Sequence, residues 1–225
     1  LDEDCWKSFE KYKEEIIRDG GQVLLTRIPK ASTDDMDAFL FAFFNAWKLK
    51  KAQNYSSMLF IDSTHNNLYA INSRTEKASL TTIMIRDDFT GSRVPIVFMI
   101  SNSETRWPLV EALSWLKGVI QLSENPTIMT DCCPAEFAAI LLVFQDPNIL
   151  FYHWHIFRAL ANKVKSKIPL SNFGETLSIQ ERCHQRDLIH SSTISEFKHL
   201  IFTRDAKEYE NTWQSYKIKY GMFSE

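Results

Sequence analysis

The chain has no cysteine framework. Its 225 residues include four cysteines, Cys5, Cys132, Cys133 and Cys183. None stands in Cys-x-x-Cys spacing, which argues against a structural zinc site and against a disulfide scaffold. They read as reduced thiols of a cytosolic or nuclear protein. An excess of positive charge is also missing. The 26 lysines and arginines are outnumbered by 28 aspartates and glutamates, for a net charge of −2, so any nucleic-acid contact has to come from a local basic track. There is no long hydrophobic run. The most apolar helix-like stretch, residues 39–47, is too short for a bilayer and is flanked by charge. No signal peptide, internal repeat or low-complexity segment is visible. The sequence starts at Leu1 and runs to Glu225, and the expectation is a segment of a longer protein.

What is present is enough apolar material for a substantial core: 44% of residues, sixteen of them phenylalanine. Two short apolar runs end on an aspartate. The first is Met58-Leu59-Phe60-Ile61-Asp62, and the second is Pro126-Thr127-Ile128-Met129-Thr130-Asp131. Runs of that length, bounded by turn formers, read as buried strands. Open α/β folds place their ligands at the carboxyl ends of such strands. Carboxylates from two separate strands are suited to a divalent cation, and to phosphodiester chemistry with it.

Apolar spacing predicts a helix over residues 3–18, closed by Gly20-Gly21, then a strand over 22–28. Ser32-Thr33-Asp34 can cap a second helix carrying Met36, Phe39, Leu40, Phe43, Phe44 and Trp47. Strands follow at 57–62, 80–85 and 94–100, with turn chemistry at Asn66-Asn67 and a hairpin loop at 87–92. A helix opened by Pro108, a strand at 127–130, a helix from Pro134 and a strand at 149–152 come next. A helix over 154–165 ends this part, and further helices are expected over 175–190, 194–203 and 206–219. Three meander strands followed by helical crossovers resemble the ribonuclease H-like fold, a mixed five-stranded sheet with flanking helices. In that fold the first and fourth strands are neighbours, which would set Asp62 beside Asp131. The expected divisions are an N-terminal helical region (1–55), the core (56–168) and the start of a C-terminal helical insertion (169–225).

Several pieces in order resemble the transposase domain of Mutator-like elements, within the DDE-type transposases. They are Ile61-Asp62-Ser63-Thr64-His65-Asn66, Pro95-Ile96-Val97-Phe98, Glu104 before a tryptophan-bearing helix, and Met129-Thr130-Asp131-Cys132 with Glu136-Phe137-Ala138-Ala139-Ile140. The last is His153-Trp154-His155-Ile156-Phe157-Arg158-Ala159. The resemblance implies DNA strand cleavage and transfer with Mg2+ or Mn2+, held by Asp62, Asp131 and a later glutamate. It implies a nuclear site of action, DNA partners (transposon ends and target), self-association and no membrane. His155 matches the histidine of the family's Cys-x-x-His signature, and Tyr152 stands where the cysteine is expected. Glu181, Glu196, Glu208 and Glu210 suit the third acid poorly, so the glutamate is expected beyond Glu225.

Other residues carry two readings. His65 either meets substrate phosphate or orients Asp62, or it caps the Asn66-Asn67 turn. His155 either joins the metal cluster or is a backbone-satisfied histidine at a strand–helix junction. Arg158, Lys163, Lys165 and Lys167 are either a phosphate track or a solvated helix face. Glu136 either serves the dipole of its helix or reaches the site. A related reading is a domesticated, catalytically inactive transposase that binds DNA or protein as a regulator. A non-transposase nuclease of the same fold is a third.

Overall fold

The computed structural model describes residues 5–28, 38–55, 57–69, 77–103, 105–122, 125–168, 173 and 176–220. The chain divides into two compact units, Leu1–Tyr152 and His153–Glu225. The first is an α/β unit. Its elements are α1 (Cys5–Arg18), β1 (Gln22–Ile28), β2 (Ala38–Phe44), α2 (Ala46–Asn54), β3 (Met58–Tyr69), β4 (Lys77–Arg86), β5 (Arg93–Ser101), α3 (Trp107–Ile120), β6 (Thr127–Thr130), α4 (Pro134–Val143) and β7 (Asn148–Phe151). The strands make one mixed sheet in the order β1-β2-β5-β4-β3-β6-β7. β3 and β6 are parallel neighbours, as are β6 and β7, while the other pairs are antiparallel.

The five expected strands are all in this sheet. The region 1–55, expected to be helical apart from a strand over 22–28, adds that strand as β1 and a further one, and at the further one the sequence reading needs correction. Residues 38–44 form β2, and helix α2 starts only at Ala46; the expected cap at Ser32-Thr33-Asp34 lies outside the described residues. The cause is burial of both faces. Leu40, Ala42 and Phe44 are almost fully buried in the main core. Phe39, Phe41 and Phe43 point the other way and meet rings of α1, with Phe9–Phe41 centroids 4.9 Å apart and Tyr12–Phe43 5.8 Å apart. A strand apolar on both faces shows no alternation, so its pattern cannot be told from that of a buried helix.

The main core lies between the sheet and α3–α4. Leu59, Ile61, Ile83, Ile85, Val97 and Ile128 supply the strand side, and Leu113, Leu116, Ala139 and Ile140 supply the helix side. The hairpin at 87–92 is as expected. Asp87 accepts from the Phe89 and Thr90 amides and from Lys51 Nζ at 2.6 Å. The Lys51 hydrogen bond holds the Asp87 carboxyl below its usual range. The expected turn at Asn66-Asn67 is not one. β3 runs on to Tyr69, and the extra residues are absorbed as an irregularity between Thr64 and Leu68.

Gly20 and Gly21 end α1 as a Schellman motif. The Gly21 amide donates to Ile16 O and the Gly20 amide to Ile17 O, both at 2.9 Å, with Gly20 at φ +77°. A Cβ on Gly21 would lie 2.6 Å from both Phe44 O and Ile16 Cγ2. Gly91, at φ +68°, has open space around its Cα. Gly21→Ala should therefore cost about 3 kcal/mol, at the upper end of overpacking losses. Gly91→Ala should cost only about 1 kcal/mol, the left-handed backbone term. Urea unfolding of the two variants checks the ranking; a larger loss at Gly91 would contradict the close approach at Gly21.

The second unit consists of helices α5 (His153–Lys167), α6 (Ile179–Phe202) and α7 (Ala206–Tyr220). A capping box between Ser178 and Glu181 starts α6. The sequence reading split α6 at Ser191-Ser192-Thr193, but the structure has one helix. Thr193 is buried and returns its hydroxyl to Ile189 O at 2.8 Å, so the polar run does not interrupt the backbone ladder. Aromatic contacts join the three helices, through Phe157–Phe197 and Phe197–Tyr216.

Candidate metal centre

The site in the first unit follows from strand register. Phe60 on β3 pairs with Met129 on β6 in the parallel ladder. Two residues further along, that register sets Asp62 level with Asp131. Side chains alternate across a sheet, so both aspartates lie on the face of Phe60 and Met129, away from the α3–α4 core. Each offers a carboxylate oxygen within 4.8 Å of the other, and both residues are half-buried. Two oxygens on one magnesium-sized ion, each at about 2.1 Å, can be no more than about 4.2 Å apart. The 4.8 Å bound on their separation is of that order. Hard carboxylate donors in a partly solvated position fit Mg2+ or Mn2+ better than a soft metal.

The residues beside the aspartates face the other way. Ser63 follows Asp62 and Thr130 precedes Asp131, and both hydroxyls donate to the carboxylate of Glu136 in the first turn of α4. The Ser63 bond is 2.6 Å long, and Ser63 also bonds Thr81 at 2.9 Å. Glu136 is only 5% exposed. The dipole reading of Glu136 is thus incomplete: the carboxylate sits at a helix start, but its oxygens are engaged by two strand hydroxyls. Its sequence signal is a glutamate five residues after Asp131, on a helix whose other inward residues are Ala139 and Ile140.

Tyr152 extends the row. Its amide donates to Thr130 O at 3.1 Å, which continues the β6–β7 ladder by one step and sets Tyr152 level with Asp131. Burial pushes its hydroxyl up to about 12; the Arg93 guanidinium opposes this, and Asp62, Asp131 and Glu136 add to it. The phenol is therefore neutral at ordinary pH. Arg93, at the start of β5, sets its guanidinium 4.6 Å from the Phe60 ring centroid and 5.3 Å from that of Tyr152. No motif marked Arg93 in the sequence; the antiparallel pairing of β4 with β5 places it. Cys132 is held above its ordinary pKa by desolvation and by Asp131, so it is a protonated thiol and a poor nucleophile.

The remaining expected site residues belong to the second unit or lie outside the described residues. His65 falls within β3, but its side chain lies outside the described residues, as does Glu104. His155 belongs to the second unit, in the first turn of α5, where its ring meets Trp154 edge-on. The α5 cations do not form a single track. At about 100° per residue, Arg158 and Lys165 share one side of the helix. Lys163 and Lys167 share nearly the opposite side, where they line an apolar groove with Leu160 and Tyr216. Arg158 lies 5.1 Å from the Trp154 ring.

Compared with protein-family models and with curated proteins, the sequence gives no match in either. Among the described residues, no helix is long and apolar enough to cross a membrane.

Proposed function

We propose that the chain carries part of the catalytic core of a ribonuclease H-like phosphodiester transferase, of the kind found in Mutator-like transposases. The observation that supports this most is the in-register pair Asp62 and Asp131, at the carboxyl ends of adjacent parallel strands and on one face. An isolated strand-end aspartate is ordinary. Two brought level by a crossover connection, with oxygens within 4.8 Å, make a cation site from residues far apart in the chain.

In this reading Asp62 and Asp131 hold Mg2+ or Mn2+. When bound, the ion polarises a phosphoryl oxygen and lowers the pKa of coordinated water. The chain's own residues do the rest. The neutral Tyr152 phenol flanks the carboxylates with a hydrogen-bond donor, and the Arg93 guanidinium supplies positive charge suited to a DNA phosphate. The third acid of the DDE set is proposed to lie beyond Glu225. DNA as substrate, self-association in a strand-transfer complex and a nuclear site of action belong to the same proposal. His155 keeps the role that the sequence resemblance gives it.

The test is manganese titration of the protein, followed by paramagnetic broadening of assigned amides. Broadening should centre on residues 62 and 131. Broadening centred far from both, or none at millimolar manganese, would remove the metal reading. That result would leave the non-catalytic regulator, to which Tyr152 in the cysteine position also points.

A further inference from the structure

We infer that Glu136 is a positioning residue that sets the spacing of the Asp62–Asp131 pair from the opposite face of the sheet. The inference rests on the metal reading above and deepens it. β3 and β6 share only a short ladder, Met58–Phe60 against Thr127–Met129. Among the described residues, no ladder pair beyond Phe60 and Met129 holds β3 to β6, yet this is where the aspartates stand. Glu136 supplies a tie at that place. Its two oxygens accept separately from Ser63, one residue past Asp62, and from Thr130, one residue before Asp131. A carboxylate bridging two hydroxyls fixes the separation of the two strand ends. That separation decides whether two carboxylates on the reverse face can share an ion.

Alternation excludes the simpler alternative that Glu136 is itself a ligand. Ser63 and Thr130 project from the core face, and Asp62 and Asp131 from the other. Glu136 is on α4, which packs on the core face through Ala139 and Ile140. The tie is also anchored sideways, because Ser63 bonds Thr81 on β4. A cavity of about 40 Å3 beside it is lined by Ser63, Thr81, Ser101 and Glu136 among others. That is room for an ordered water among polar groups. The hydroxyl and carboxylate groups thus form a continuous chain from β4 through β3 and α4 to β6.

The experiment compares wild type, Glu136→Gln, Glu136→Ala and Thr130→Val by manganese affinity, and by amide exchange at 62–63, 130–131 and Tyr152. Gln keeps the bridge, because each hydroxyl can either donate or accept. Glu136→Gln should bind manganese within about twofold of wild type, and Glu136→Ala about 10-fold more weakly, the usual effect of losing a group behind a metal ligand. Thr130→Val, which removes one arm and keeps the shape, should fall between them and serves if Glu136→Ala does not fold. Faster exchange in Glu136→Ala or Thr130→Val should be confined to these amides. Wild-type affinity in Glu136→Ala or Thr130→Val would overturn the inference. So would loss of binding in Glu136→Gln, which would make the charge rather than the bridge the requirement. If wild type binds no manganese, the metal reading fails by itself. Exchange then decides the tie: local acceleration upholds it, and unchanged or uniformly faster exchange overturns it.

Discussion

Replacing Asp131 with asparagine should weaken manganese binding about 100-fold or more, and Asp62→Asn should do the same. Loss of a group behind a metal ligand already costs about 10- to 100-fold in affinity, so losing a ligand directly falls at or beyond the upper end. Asparagine keeps the shape and one oxygen but removes the charge, which is the main attraction for a hard divalent ion. The effect can be read without any activity assay. At a manganese concentration about 100 times the wild-type dissociation constant, the ion stabilises the folded state by about 2.7 kcal/mol. A variant bound about 100-fold more weakly keeps only about 0.4 kcal/mol at that concentration. The metal-free stability of each variant sets the baseline from which its manganese-induced shift is read. Urea midpoints with and without manganese separate these terms. An equal manganese-induced shift in all three proteins would place the ion elsewhere.

Phe41→Ala should cost about 3–5 kcal/mol, the range for deleting a buried ring. Phe41 is 1% exposed and lies against Phe9, Tyr12 and Phe43, at centroid distances of 4.9, 6.2 and 5.3 Å. That loss is a large share of the roughly 5–15 kcal/mol that holds a typical domain folded. Phe43→Ala, at a half-buried position on the same face, should cost about half as much. The pair tests whether α1 is docked through the outer face of β2. Urea unfolding gives the two losses, and amide exchange in α1 should accelerate most in Phe41→Ala. A Phe41→Ala variant within about 1 kcal/mol of wild type would mean that α1 does not seal that face.

The sequence by itself determined the elements whose burial is one-sided or whose ends carry strong chemistry. The apolar runs that end on Asp62 and Asp131 read as strands, Asp87 and Gly91 mark a hairpin, Pro108 and Pro134 open helices, and Gly20-Gly21 closes one. These signals are local, so they survive without knowledge of what packs against them. They gave an element order that resembles the ribonuclease H-like fold, and it was that resemblance that implied β3 beside β6 and Asp62 beside Asp131. Tertiary structure alone decided what depends on a second surface. β2 turns Phe39, Phe41 and Phe43 toward α1 and Leu40, Ala42 and Phe44 toward the main core, and a strand filled on both faces has no period to read. The polar run in α6 looked like a break until Thr193 turned its hydroxyl back onto the helix. Arg93 and Glu136 carry no local mark of their roles. Arg93 reaches Phe60 and Tyr152 only because β4 and β5 pair and β7 adds to the parallel edge. Glu136 bridges Ser63 and Thr130 only because the crossover through α4 returns it over the β3–β6 seam. Such contacts join residues far apart in the chain, and their energy exists only once the sheet has formed.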